Sequence, residues 1–553
     1  LSDSRLYRQS RAPRVDGRAN LRGTVLNKDT GSEKRLQTRS AFVLVGLLGS
    51  IVGVALFTAD QPVAPGDARL TATTVSSTSS PPPPTSATAP PSTATTVAPT
   101  TTTTLPQRSI GTVPGWTVGR PWGTTVGLTM FRGNPTRTYY GEGPLPSDPS
   151  VRWHYPGETG MCGSSSVGGV SSVWCGTGWT GQPVIWERPD GVTEVIFGAY
   201  DKAVHFLDAA TGEETRPSFR VGDIIKGSVT LDPDGFPLLY FGSRDDNLRI
   251  VALDRDNPTE LWALPASSVD GIWNNDWDSN PVIVDDIMYE GGENSWFFAV
   301  KLNRHIGADG LVGVAPEVVF QTPGWTPELL DQVGRNVSIE SSVMIHDQTA
   351  YFANSGGRVA GFDISAIETG AAPLVFDYWV GDDTDATLVS DAAGNIYVSV
   401  EEERKNERSR ELGQLIKLDP TREEPFVWGI PIPGGNDVGG LWSTPALGNG
   451  VLYAATHPGQ LIAVDTETGQ IVWEETLGWH SWSSPVIVGD QLLAANCFGE
   501  LRAYSLENPR QPRPLWTMAM SESCIESTPA VWKGSIYVGS RDGRFYSVGD
   551  TET

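Results

Sequence analysis

Ser443-Thr444-Pro445-Ala446, Val451-Leu452-Tyr453-Ala454-Ala455-Thr456 and Ala463-Val464-Asp465-Thr466-Glu467-Thr468-Gly469-Gln470-Ile471-Val472-Trp473 form one continuous unit. The first segment is small–small–Pro–apolar. The second and the start of the third are apolar runs on either side of a Gly-containing turn, which is the signal of a β-hairpin. Asp465, Thr468 and Gly469 then read as a tight turn. The Asp and Thr side chains can bond nearby backbone N–H groups, and Gly takes positive φ. Trp473 sits on the strand that follows, so the unit is a sheet of four short strands.

The unit recurs. Lead-ins fall at Gln182-Pro183, Gly227-Ser228, Asn280-Pro281, Ser341-Ser342, Ala386-Thr387, Thr444-Pro445, Ser484-Pro485 and Thr528-Pro529. Eight short-stranded units at a near-regular spacing predict an all-β, eight-bladed β-propeller. The first strand of each blade should line a central channel. The fourth, with its tryptophan, should lie at the rim and pack on the next blade. The last unit stops after Phe545-Tyr546-Ser547-Val548 without a tryptophan strand, whereas Val151-Arg152-Trp153-His154-Tyr155 stands alone before the first. These two are expected to pair and close the ring.

Outward from the repeats the composition changes. Residues 1–39 carry ten Lys/Arg against four Asp/Glu and read as a cytoplasmic basic tail. Residues 40–58 hold no charge and are long enough to cross a hydrocarbon core of about 30 Å as a single transmembrane helix. The basic flank puts the N-terminus inside and the remainder outside. Residues 59–108 form a Thr/Ser/Pro-rich disordered linker, a stalk with too little apolar content for a core. Residues 109–553 are the propeller. The 553-residue chain has a net charge of -25, which argues against a nucleic-acid partner. Its four cysteines, all beyond the hydrophobic segment, fall into local pairs, Cys162–Cys175 and Cys497–Cys524. Two disulfides are expected, since neither spacing is that of a zinc knuckle.

The run at 463–473 resembles the tryptophan-docking motif of the PQQ-repeat, or quinoprotein-type, β-propellers, with Asp465, Thr468, Gly469 and Trp473 at its packing positions. Phe131-Arg132-Gly133-Asn134 resembles the segment with which that family often opens. The resemblance spans residues 128–550 and implies the propeller. It leaves function open, because the family includes redox enzymes, assembly scaffolds and binding ectodomains. The redox branch uses adjacent cysteines, and this chain has none. The resemblance is therefore to a non-enzymatic, membrane-anchored branch. PQQ and Ca²⁺ are not expected, and a PQQ-dependent oxidoreductase is the alternative.

Residues just before the lead-ins should face one mouth of the channel. They are Asp276, Trp277, Asp278, Glu340, Trp442, His480, Trp482 and Glu526. Carboxylates and indoles together suit a cationic or sugar-like ligand, or a protein or cell-wall partner in the envelope. Packing tryptophans and solvated acids are the competing reading. The acidic loops at 381–385 and 232–237 read as turns, neither being an EF-hand. The charged stretch at 401–411 reads as a solvated, protruding loop. The sequence carries no serine nucleophile elbow, Walker loop or His-Glu-x-x-His motif, and its six histidines are scattered. Polysaccharide cleavage is accordingly the least favoured reading.

Overall fold

The computed structural model describes residues 118–551, apart from 168–169, 180 and 436–437. The basic tail, the expected transmembrane helix at 40–58 and the whole stalk at 59–108 lie outside the described residues. Among the described residues no helix is long and apolar enough to cross a membrane.

Eight blades follow one another along the chain, each a four-stranded antiparallel sheet, to which Gly127–Leu128 adds an antiparallel edge strand in the first blade and Gly141–Glu142 a parallel one in the eighth. The sixth is representative, with strands Ala446–Gly448, Val451–Ala455, Gln460–Asp465 and Ile471–Thr476 paired in sequence order. Both faces of each blade are covered by a neighbour. Val451, Tyr453 and Ala455 pack with residues of the seventh blade, and the alternating Leu452 and Ala454 pack with residues of the fifth. This is why the inner strands read as unbroken apolar runs. The ring closes as expected: Pro149–Tyr155 pairs antiparallel with Phe545–Asp550 and supplies the fourth strand of the eighth blade.

The small–small–Pro lead-in has a mechanical meaning. Its first hydroxyl bonds within the blade: Ser279, Ser341, Ser443 and Ser527 donate Oγ–H to the carbonyls of Gly291, Ala353, Ala455 and Gly539. Its second residue joins blades. The N–H groups of Gln182, Asn280, Ser342, Thr387 and Thr444 donate to the hydroxyls of Ser228, Ser342, Thr387, Thr444 and Ser484 at 2.8–3.0 Å. Thr528 N–H closes the belt on Gly181 O at 3.0 Å. Where proline follows, it has no N–H to leave unbonded inside the channel.

At the rim, Asp465 Oδ1 accepts from Thr468 N–H at 2.7 Å and from Thr468 Oγ1–H at 2.8 Å, and Gly469 takes φ +71°. A Cβ on Gly469 would meet the Trp428 ring of the preceding blade at 2.7 Å. Gly212 meets Trp153 of the closing strand in the same way, at 2.6 Å. A bulge just before the aromatic residue recurs in seven blades and turns that side chain onto its neighbour.

One detail differs from expectation. Residues 401–411 do not protrude. Glu401–Glu402 is buried and pairs with Gly439–Gly440, and the short helix Glu407–Leu412 packs Ser409 and Leu412 inward. Backbone pairing with two glycines overrides the charged composition there. The loop at 232–237 is a turn, as expected, with Asp234 N–H donating to Asp232 Oδ1 at 2.9 Å, and it also carries an ion pair. Asp232 accepts from Tyr240 Oη–H at 2.7 Å and from Arg304 at 2.8 Å.

Candidate functional site

The channel is sealed at one end. Residues 128–140 lie across the strand-one segments just past the lead-ins. Arg132 and Arg137, both fully buried, hold this plug in place. Arg132 donates to Pro445 O at 2.6 Å and Pro485 O at 3.1 Å, with its guanidinium 4.5 Å from the Tyr140 ring centroid. Arg137 donates to Val343 O at 2.6 Å and Asn280 Oδ1 at 3.0 Å. The Phe-Arg-Gly-Asn segment is thus a stopper, with the rigid guanidinium fork matched to a ring of carbonyls.

The opposite end is the mouth. In an antiparallel blade the turn between strands two and three lies beside the start of strand one. The mouth is therefore built from the residues before each lead-in together with those turns. Asp276 accepts from Arg244 at 2.6 Å and from Asn274 at 3.0 Å. Asp278 pairs with Lys226. Glu526 pairs with Arg541 at 3.0 Å. Between the last two arginines lies Trp174, 5.0 Å from Arg244 and 5.3 Å from Arg541, on a hairpin (Cys162–Val167 and Val170–Cys175) closed by the Cys162–Cys175 disulfide. Trp179 Nε1–H donates to Trp442 O at 3.0 Å.

Oxygens of Asp278, Glu293 and Glu340 lie within 4.8 Å of one another, and all three residues are largely buried. Burial disfavours the Lys226 ammonium, but Asp278 outweighs it and keeps the proton on. Burial also works against the Asp278 carboxylate, and Lys226 and Arg244 overcome it. Burial, reinforced by Asp278, Glu340 and Asp276, holds Glu293 well above the ordinary carboxylic range, so it stays a neutral acid. The group stores a proton among paired charges. A second cluster joins Asp383, Asp385 and Glu401 within the same distance, with Ser355 Oγ–H donating to Asp385 at 2.7 Å. It unites two stretches that read separately in the sequence. These two clusters are where a cation would find oxygen ligands.

Across the mouth the residues are aromatic. His480 stacks on His457 and Trp442 packs against it at a tilt of 41°, with centroids 4.2 and 4.0 Å away. Trp482 Nε1–H donates to His457 Nδ1 at 2.7 Å, which requires a lone pair on that nitrogen. Trp277 does not face the mouth. It is fully buried against Phe298 in the core between the second and third blades. Sequence reasoning missed Lys226, Arg244, Glu293, His457 and Arg541. Apart from Lys226, which directly precedes its lead-in, they lie on the strand two–three turns, and the residue closing strand two of each repeat is the signal that marks them.

Comparison with known proteins places the strongest likeness in the C-terminal blades. Residues 413–553 match the family model described as outer membrane protein assembly factor BamB, a PQQ-repeat family. The outer membrane protein assembly factor BamB of Salmonella typhimurium is 29% identical over 101 residues, and that of Escherichia coli K12 is 27% identical. Each match covers 18% of this chain and 24% of the relative, so the alignment spans about a quarter of those proteins. A computationally designed protein, Ika8, aligns over 68% of this chain and 96% of its own, at TM-score 0.46 and 10% identity. The fold is an eight-bladed propeller whose residues 413–553 match the PQQ-repeat model.

Proposed function

We propose that this chain is a membrane-tethered, extracytoplasmic propeller that binds an envelope component through its open mouth and works without catalysis or cofactor. One observation carries the reading. The channel is stoppered at one end by a segment of the chain itself, while the other end is lined by aromatic and paired charged groups from different blades. Three further points support it. The uncharged stretch at 40–58 follows a basic flank. Both cysteine pairs are disulfides, which persist in oxidising compartments. The matched relatives are named as assembly factors, which favours a docking role.

A quinone cofactor with several carboxylates would need cations to receive it. Lys226, Arg244 and Arg541 each already face a carboxylate of the mouth. The cysteines lie in two separate disulfides, and neither joins adjacent residues. These residues fit an anionic quinone poorly.

The test is cross-linking capture from an envelope fraction by the full chain, comparing wild type with Trp442→Ala plus Trp482→Ala and with the rim control Leu515→Ala. Thermal melting establishes that each variant is folded. Capture should fall at least tenfold in the mouth variant alone. Equal capture by all three removes the mouth as the docking face. Turnover of a dye-linked alcohol or sugar after adding PQQ and Ca²⁺ overturns the non-catalytic reading.

A further inference from the structure

We propose that an aromatic row on the sixth and seventh blades is a glycan platform, taking neutral or amino-bearing sugar units of a wall polysaccharide. The inference rests on the mouth being the docking face and names its ligand.

Among the described residues, Trp479 and Phe498 are the two Trp or Phe side chains that are exposed, at 44% and 54%. They are neighbours, with ring centroids 5.8 Å apart and planes tilted by 34°. Trp479 is continued inward by His480 at 4.8 Å, and then by His457 and Trp482. An exposed pair of rings leading to a stacked polar–aromatic interior is suited to sugar rings. Their C–H faces stack on indole and phenyl, and their hydroxyls find ring nitrogens and backbone groups at the edges.

The rings are held in place. The Cys497–Cys524 disulfide ties the turn bearing Phe498 to the lead-in of the next blade. His480 Nδ1 lies 2.7 Å from His457 O, which fixes the ring behind Trp479. A platform ordered before binding loses little entropy when its ligand arrives.

The occupant follows from charge. The first described residues, from 118 on, lie on the plugged face. There Thr124 and Thr125 N–H donate to Pro233 O, and Trp122 Nε1–H donates to Ile283 O. The rings are on the opposite face, beside the strand two–three turns of the sixth and seventh blades. A net charge of -25 repels anionic polymers and lipid headgroups. A neutral glycan is not repelled, and an ammonium-bearing sugar is attracted by both the charge and the ring faces.

The test uses the full chain in a detergent without a sugar headgroup. Acetylated and free-amine chitotetraose are titrated by calorimetry, and purified wall polysaccharide is co-sedimented. Wild type should bind in both formats. Trp479→Ala and Phe498→Ala should each weaken oligosaccharide binding at least fivefold, with melting temperature unchanged and Leu515→Ala neutral. The proposal fails if wild type gives no heat with either sugar, or if Trp479→Ala and Phe498→Ala each bind as wild type does. Oligosaccharide binding without wall co-sedimentation rejects the wall as the source. If sugar binding is absent while mouth-dependent capture of an envelope protein persists, the glycan inference falls and the docking reading stands.

Discussion

The two ends of the channel are built from the same eight strands and treat charge in opposite ways. At the plugged end one continuous segment, residues 128–140, brings two guanidinium groups to backbone carbonyls. At the mouth the charges are paired side chain to side chain, some between blades, as with Lys226 and Asp278 or Arg244 and Asp276, and one, Glu526 with Arg541, within the eighth. A carbonyl ring belongs to the main chain and exists whatever side chains line the channel. A guanidinium fork that matches it can therefore staple several blades at once. Side-chain pairs at the mouth can be exchanged without touching the belt. The plug thus carries stability, and the mouth is where the sequence is at liberty to vary for recognition.

The contrast breaks most visibly at Arg132. Replacing it with methionine keeps much of the volume but removes the donors to Pro445 O and Pro485 O and the contact with Tyr140. Carbonyls left without partners in a dry channel should cost about 3–5 kcal/mol. Chemical denaturation of the full chain checks this. An R132M midpoint within error of wild type would mean that the plug is ornament and that the ring closes through Trp153 and the hydroxyl belt alone.

The ring was legible because its signals are local. Alternation around turns, Ser or Thr before proline, and Asp465 with Thr468 and Gly469 each fit within a dozen residues. The closing strand could be inferred because the last repeat lacks a tryptophan that Val151-Arg152-Trp153 supplies. The site was legible only in part. Asp276, Asp278, Glu340 and Glu526 stand beside the lead-ins, so the repeat marks them. Their partners Arg244 and Glu293 lie on turns of the same or the adjacent blade, a proximity that only the folded ring reveals. Glu401 was hidden by its charged neighbours, although the backbone at that point pairs with Gly440. The plug was hidden because arginine in a short polar segment ordinarily means solvent.

A smaller effect sharpens the same comparison through pH. Glu290, fully buried beside the plug, lies 2.8 Å from Ser279 Oγ, whose own proton is committed to Gly291 O. Burial raises its pKa from the ordinary 4.5 to about 8, with Ser279 and Arg137 pulling the other way. The folded protein therefore binds this proton more tightly than the unfolded chain does. Its contribution is complete below about pH 4.5 and is lost as pH rises toward about 8. Between pH 6 and 7.5 the loss should be about 1–2 kcal/mol. Glu290→Gln keeps a polar group beside Ser279 but cannot ionise, so its stability should be flatter across that interval. Parallel pH profiles for wild type and E290Q would show that another group is responsible.

The smallest expected change is at the mouth. Trp479 and Phe498 are large, and truncating large aromatics in a core costs about 3–5 kcal/mol. Here both are about half exposed, and their inner faces rest on each other and on His480. Little water-excluded area is lost on truncation, and no buried donor is stranded. Trp479→Ala and Phe498→Ala should therefore each shift stability by about 0.5 kcal/mol or less. A melting series covering R132M and these two variants places the plugged and open ends on one scale. If Trp479→Ala proved as damaging as R132M, the rings would be a structural cap and the mouth would be closed at both levels. If it is silent, the chain holds two exposed aromatic rings that folding does not require, which is the pattern expected of residues kept for a ligand.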